Sequence, residues 1–177
     1  MNRAFPFQTR FGTGWLHYAG ETLLHTTLPN TNAAPDSVSA APFPATFETY
    51  QKALLDYFER GRPLACPASF FQQGTGFRQE VYRIVTAIPW GHTLSYSAVA
   101  AAAGSPGAAR AVGSAMAANR FAPFIPCHRV IPAAGGIGEY GGGTDLKKAL
   151  LEMEARTRPR NTPPCPRGAL PTKTFQP

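Results

Sequence analysis

Tyr96-Ser97-Ala98-Val99-Ala100-Ala101-Ala102-Ala103-Gly104-Ser105-Pro106-Gly107-Ala108-Ala109-Arg110-Ala111-Val112-Gly113-Ser114-Ala115-Met116-Ala117-Ala118 sets two alanine-rich runs on either side of Gly104-Ser105-Pro106-Gly107. Ser97 can cap a short helix through Ala103, and Gly104 can end it. Ser105 followed by Pro106 reads as the N-cap and first-turn pair of a second helix, running to about Ala118. Two short helices around one glycine have the spacing of a helix-turn-helix. That spacing more often marks a plain helix pair than a DNA-binding one, so composition has to decide. From Ala108 to Ala117 the one long cationic side chain is Arg110. A helix that reads the major groove needs several polar side chains reaching base edges, and this one lacks them. A slim helix with a single cation suits a narrow groove and a stacking or wedging role.

Downstream lies Ile125-Pro126-Cys127-His128-Arg129-Val130. A lone cysteine is usually a small buried hydrophobe. Here Pro126 fixes the backbone before it, a histidine follows directly, and Gly135, Gly136, Gly138, Gly141, Gly142 and Gly143 allow close approach of a flat ligand. A free thiol is mostly protonated at neutral pH and needs a base to become the nucleophile. Adjacent residues of an extended segment point apart, so a water or a turn must connect Cys127 to His128. Such a base works best with a carboxylate on its other ring nitrogen. Glu152 and Glu154 on the last helix are both candidates, and the residues alone do not choose between them.

On either side of this segment the pattern is coarser. Thr13 to Tyr18 and Glu21 to Leu28 read as two strands joined near Ala19-Gly20. Residues 29–44 read as a loop. Phe47, Tyr50, Leu54 and Phe58 recur at helical spacing, with Gly61 as stop signal. Arg62 to Gly76 reads as a linker. Phe77, Val81, Ile84, Val85 and Ile88 mark another helix. Two short extended pieces around Gly135-Gly136 predict a hairpin wing. Thr144 is the expected cap of a last helix carrying Leu146, Leu150 and Met153 on one face.

The chain has 177 residues and a formal charge of +7. From Ala155 onward Arg156, Arg158, Arg160, Arg167 and Lys173 occur with no acid, so this tail holds most of the excess charge. It is rich in proline and poor in large apolar residues, and is expected to be a flexible, solvated end. The three cysteines, Cys66, Cys127 and Cys165, are odd in number and widely spaced, which favours neither a disulfide framework nor a clustered zinc site. No apolar run is long enough to span a membrane, and Met1-Asn2-Arg3-Ala4-Phe5-Pro6 does not read as a secretory leader. A cytoplasmic protein is expected.

Ile125 to Ile131 resembles the signature of the O6-alkylguanine-DNA alkyltransferases, the methylated-DNA–protein-cysteine methyltransferase family. Phe77 to Tyr82, Gly91 to Tyr96, Gly107 to Gly113 and Gly138 to Gly143 are similar to further family blocks, in the right order. The resemblance covers about residues 75 to 155, with the helix near Tyr50 to Pro63 matching upstream. It implies an α+β protein: a small N-terminal α/β domain (residues 1–70), a winged helix-turn-helix catalytic domain (75–156) and a tail (157–177). It implies DNA repair by single-turnover transfer of an alkyl group from O6-alkylguanine, or O4-alkylthymine, to Cys127. The expected partner is double-stranded DNA bound by a monomer through the minor groove, with the damaged base flipped out. No cofactor and no metal are implied. His128 matches the residue that deprotonates the thiol through water, Glu154 the carboxylate that holds it, and Asn119 the residue that ties the preceding turn to the site. Tyr96 matches a residue near the flipped nucleotide that helps protonate the leaving base. Arg110 matches the finger that fills the gap in the base stack, with Ala109 and Ser114 beside it on the DNA face. Val130, Tyr140, Gly141 and Gly142 match pocket positions. Two positions depart from the pattern: Tyr82 stands where Trp is usual, and Ala117 where many members carry a basic phosphate contact. The rival readings are an alkyltransferase-like lesion sensor, which would lack the acceptor cysteine, a cysteine hydrolase, and a plain winged-helix module with a structural cysteine.

Overall fold

The computed structural model describes residues 2–31, 35, 42–72, 74–159 and 173–174. The chain opens with three strands, β1 (Asn2–Thr9), β2 (Gly12–Ala19) and β3 (Thr22–Thr27), paired antiparallel in that order. Phe5, Phe7, Leu16 and Tyr18 alternate onto one buried face, as the period of two in a strand requires. Phe7 lies opposite Gly14, where a Cβ would sit 2.2 Å from the Phe7 ring. The strand β1 is not expected from the sequence. Pro6 argues against a strand, but β1 is an edge strand, where a missing N–H is tolerated.

Helix α1 (Phe47–Arg60) closes over this sheet through Phe47, Leu54, Tyr57 and Phe58. Gly61 ends it in the left-handed region at φ 58°, its N–H bonded to Tyr57 O, the conformation that only glycine takes without cost. The expected linker is itself packed: Ala68–Phe71 form a 3-10 turn, and Phe70 stacks on Phe121 at 3.9 Å.

Helix α2 (Gly76–Thr86) is followed by β4 (His92–Ser95), α3 (Tyr96–Ala102) and α4 (Ala109–Ala117). The helix pair exists where the sequence puts it, but its caps differ. Ser95, not Ser97, accepts from the first turn of α3. The Ser105-Pro106 pair closes a turn instead of capping α4, because Gly107 at φ 91° breaks the path into the helix. No hairpin wing forms at Gly135-Gly136 among the described residues. Instead β5 (Val130–Ile131) runs parallel to β4, and Pro132, with no N–H to donate, ends it. Helix α5 (Thr144–Arg156) starts one residue earlier than expected, with Gly143 at the cap position and Thr144 as its first residue.

Beyond Pro159 the described chain consists of β6 (Lys173–Thr174), antiparallel to β4, where the sequence predicts no strand. The expectation of a solvated end otherwise lies outside the described residues. Among these, no helix is long and apolar enough to cross a membrane.

A single apolar cluster runs through both halves, from Phe5 and Tyr57 to Trp90, Phe124 and Met153. The halves are also laced by polar contacts. Thr26 N–H donates to Arg120 O at 2.8 Å, and the Thr26 hydroxyl bonds Ala122 O. This fixes the end of β3 against the segment that leads to Cys127.

Candidate active site

The nine residues between α4 and Cys127 form a tight loop. Ile125 N–H donates to Phe121 O and Cys127 N–H to Ile125 O, at 2.9 and 2.8 Å. Asn119 organises it from within: its Nδ2 donates to Ile125 O at 2.9 Å and to Cys127 Sγ at 3.1 Å, while its Oδ1 accepts from Phe121 N–H at 3.0 Å. Cys127–Arg129 form one turn of 3-10 helix, so of the two conformations the sequence leaves open, extended or turn, the chain takes the turn. The turn buries all three side chains, Cys127 against Asn119 and both His128 and Arg129 against Glu154.

Glu154, fully buried on α5, is the centre of that arrangement. Its Oε1 accepts from His128 Nε2 at 2.8 Å, from Arg129 Nη2 at 3.0 Å and from the Tyr57 hydroxyl at 3.2 Å. Its Oε2 accepts from Arg129 Nε at 2.8 Å and from Gly91 N–H at 3.3 Å. Burial favours the neutral acid, but Arg129 and His128 outweigh it and hold the carboxyl down at about 2. Glu152 is half-exposed and faces Lys148 at 4.0 Å, so the geometry separates the two candidates.

A charged carboxylate facing Nε2 requires the proton of a neutral imidazole to sit there. Nδ1 is then the bare lone pair, and it is buried without a hydrogen-bond partner among the described residues. Burial lowers the His128 pKa, Glu154 pulls it part of the way back, and Arg129 and Lys147 lower it further. The Cys127 thiol is pushed up by burial and eased down by Asn119, Lys147 and backbone amides. At neutral pH the pair therefore rests as thiol and neutral imidazole, a base waiting beside an acid.

Three members of the site are not visible in the sequence. Lys147 is fully buried on α5 and donates from Nζ to Val130 O at 2.8 Å and Glu139 O at 3.2 Å. Burial lowers its pKa to about 8 while Cys127 holds it up. Arg129 also donates to Ile88 O at 2.8 Å and lies over the Trp90 ring. Tyr57 arrives from α1, 71 residues before His128. A charged residue on an amphipathic helix is normally assigned to solvent, and no spacing rule connects Tyr57 to Glu154.

Cys127, 7% exposed, lies on the wall of a cavity of about 580 Å³. Tyr96, Met116, Asn119, Tyr140 and Gly141 line it with Thr26 and Leu28 from the first sheet. Val130 and Gly142, expected as pocket positions, are buried and are not among the residues that line it. At Gly142 a Cβ would meet Leu146 Cδ2 at 2.5 Å, so a larger residue there would displace the buried Leu146 side chain. Arg110 is exposed on α4, outside the cavity, with Ala109 half-buried beside it and the exposed Ser114 donating to Arg110 O at 3.2 Å.

Comparison with known proteins gives the family. The sequence profile of the 6-O-methylguanine DNA methyltransferase DNA-binding domain matches residues 76–156. The methylated-DNA–protein-cysteine methyltransferase of Mycobacterium tuberculosis is 41% identical over 125 residues, 71% of this chain and 75% of that protein. The chain belongs to the methylated-DNA–protein-cysteine methyltransferase family. The crystal structure of the Mycobacterium tuberculosis O6-methylguanine methyltransferase superposes with a TM-score of 0.71 at 33% identity, covering 91% of this chain and 97% of that one. A structure of the Mycobacterium tuberculosis protein in complex with DNA gives 0.68 at 35% identity, over 88% and 93% of the two chains. The described cysteines of this methyltransferase are both free, and they are not equivalent. Cys66 is pushed up to about 12 by burial and, among the described residues, has no histidine–carboxylate pair bonded to it. Cys165 lies outside the described residues.

Proposed function

We propose that the protein repairs DNA by direct reversal, taking the alkyl group from O6-alkylguanine onto Cys127 in a single turnover. The observation that carries this reading is the bare Nδ1 of His128, the residue that follows an uncharged thiol, with its other ring nitrogen held by Glu154. A water bridging the two would carry the thiol proton to His128. The thiolate then attacks the alkyl carbon, and the carbon–oxygen bond breaks with its electron pair going to O6. Tyr96, on the cavity wall, relays a proton toward the leaving guanine. Sulfur keeps the alkyl group as a thioether, and nothing in the site removes it. Lys147 favours the thiolate through its charge, and Asn119 through its bond to Sγ.

In this reading residues 1–70 form the supporting domain and 75–156 the catalytic, DNA-binding domain of winged helix-turn-helix descent. The slim helix α4 enters the minor groove with Ala109 and Ser114 on the DNA face. Arg110 fills the place of the flipped base, and the cavity takes that base against Tyr140 and Gly141, with Val130 and Gly142 shaping its back. The protein acts as a monomer and serves O4-alkylthymine by the same chemistry.

Intact-mass measurement tests the core of this. One equivalent of O6-methylguanine DNA should convert one equivalent of protein to a form heavier by one methylene, located on Cys127 by peptide mapping. Turnover, or methyl on Cys66 or Cys165, would overturn it.

The state of His128 fixes the pH profile. Its pKa lies below that of an ordinary imidazole, so the neutral base persists as pH falls. The single-turnover rate is expected to stay flat down through ~6.5, the ordinary imidazole value, and to fall only below it. A half-loss at or above that value would remove His128 as the base.

The tail should add affinity without chemistry. Deleting the chain after Thr157 is expected to flatten the log–log salt dependence of DNA binding by roughly one to three units. Transfer at saturating DNA should keep its rate. Because β6 pairs with β4, which leads directly into α3 and Tyr96, a slower transfer would show instead that the tail supports the site.

A further inference from the structure

We infer that a basic groove beside the alkyl-acceptor cavity seats the sugar–phosphate backbone of DNA, with Arg78 and Arg120 as its phosphate contacts. This rests on the repair function proposed above. The groove, of about 670 Å³, is lined by Arg78 of α2, Arg120 after α4, His25 and Thr26 of β3, and the end of α4 at Ala117. Its lining contains no acidic residue. Neither guanidinium has an ion pair or a side-chain hydrogen bond among the described residues, whereas Arg60 pairs with Asp56, Arg83 with Glu80 and Arg129 with Glu154. Two uncompensated cations in one concavity focus a positive potential that only an anion relieves.

Position selects which anion. Thr26, Ala117 and Asn119 line both the groove and the cavity that holds Cys127. A nucleotide whose base enters the cavity must run its backbone out past these shared residues, along the groove. The floor there is Ala117, which offers no charge, and the terminal carbonyls of α4 make that end slightly negative. Arg78 and Arg120 offset both. The groove is also held in shape before DNA arrives. The Arg78 stem packs over Gly74, where a Cβ would lie 2.8 Å from its Cδ, and Arg120 O accepts from Thr26 N–H at 2.8 Å. His25 stacks on His17 at 3.9 Å and is held neutral by burial and by Arg120, so two charges act at neutral pH.

The test is the affinity of wild type, Arg78→Gln/Arg120→Gln and Lys52→Gln for an undamaged duplex across a salt series, with thermal midpoints recorded. The double variant is expected to flatten the log–log slope by roughly 1.8 units and to bind roughly thirtyfold more weakly at about 0.15 M salt. Lys52→Gln, on α1, should match wild type. Adding Ala117→Arg to the double variant should restore roughly 0.9 unit, since that side chain would reach the same groove. If the loss of Arg78 unsettles its contact with Gly74 and lowers the midpoint, Arg120→Gln alone must still flatten the slope by roughly 0.9 unit. A wild-type slope in the folded double variant, or in Arg120→Gln, overturns the inference. Methyl transfer to Cys127 with an unchanged slope would leave the repair function standing without the groove. A flattened slope with no transfer would leave a DNA-binding groove without the repair function.

Discussion

Glu154→Gln is expected to slow alkyl transfer by about 10–10²-fold. General-base assistance is worth ~10²–10⁴-fold, and the amide removes the orienting charge but not the imidazole. The same change should destabilise the protein. Arg129 loses its counter-ion inside the core, and breaking a buried pair costs ~3–5 kcal/mol. The sign of the acid response follows as well. The folded carboxyl sits at about 2, below the ordinary ~4.3 of a glutamate. Its stabilisation is complete above the ordinary value and is lost as pH falls through about 2. The variant, already without that contribution, should lose less further stability over this interval. Single-turnover kinetics and urea unfolding at neutral and acid pH measure both effects, with duplex affinity as the control expected to hold. A wild-type transfer rate would take Glu154 out of the mechanism.

Arg110→Ala is expected to weaken repair in duplex DNA on the order of tenfold or more while sparing reaction with a free O6-substituted guanine. Extruding a base costs a few kcal/mol, and each ~1.4 kcal/mol of lost support is a factor of ten. The free base needs no extrusion. Arg110 is exposed on α4 and has no core packing to lose, so the two substrates can be compared directly. Equal losses on both would assign Arg110 to the fold or the pocket.

What the sequence revealed and what it concealed divide along physical lines. The helices around Leu54, Val81 and Leu150 were legible because apolar residues at helical spacing must turn inward, and all three are fully buried. The pairing of β5 with β4 was not legible, because a parallel partner 36 residues away leaves no local trace and glycines near a turn suggest a hairpin instead. Capping was misread at Ser97, where Ser95 competes two residues earlier. In the site, Cys127 and His128 announce themselves as neighbours, and family resemblance picks Glu154. Tyr57 and Lys147 stayed hidden for opposite reasons. Tyr57 is apolar enough to pass as ordinary core. Lys147 is charged enough to pass as surface, yet its ammonium is satisfied by Val130 O and Glu139 O.

The hydroxyl of Tyr57 touches both His128 Nε2 and Glu154 Oε1 at 3.2 Å, and its ring meets Trp90 edge-on. The first sheet and its helix are thus no detachable accessory. Most of that module can drift in a lineage, exchanging one apolar face for another, while this one position answers to the reaction. A laboratory shuffling the front module among relatives would inherit the same constraint. Grafts that keep a phenol at the end of α1 should carry a working dyad with them, and grafts that place Phe there should give well-folded chimaeras with a poorly set base.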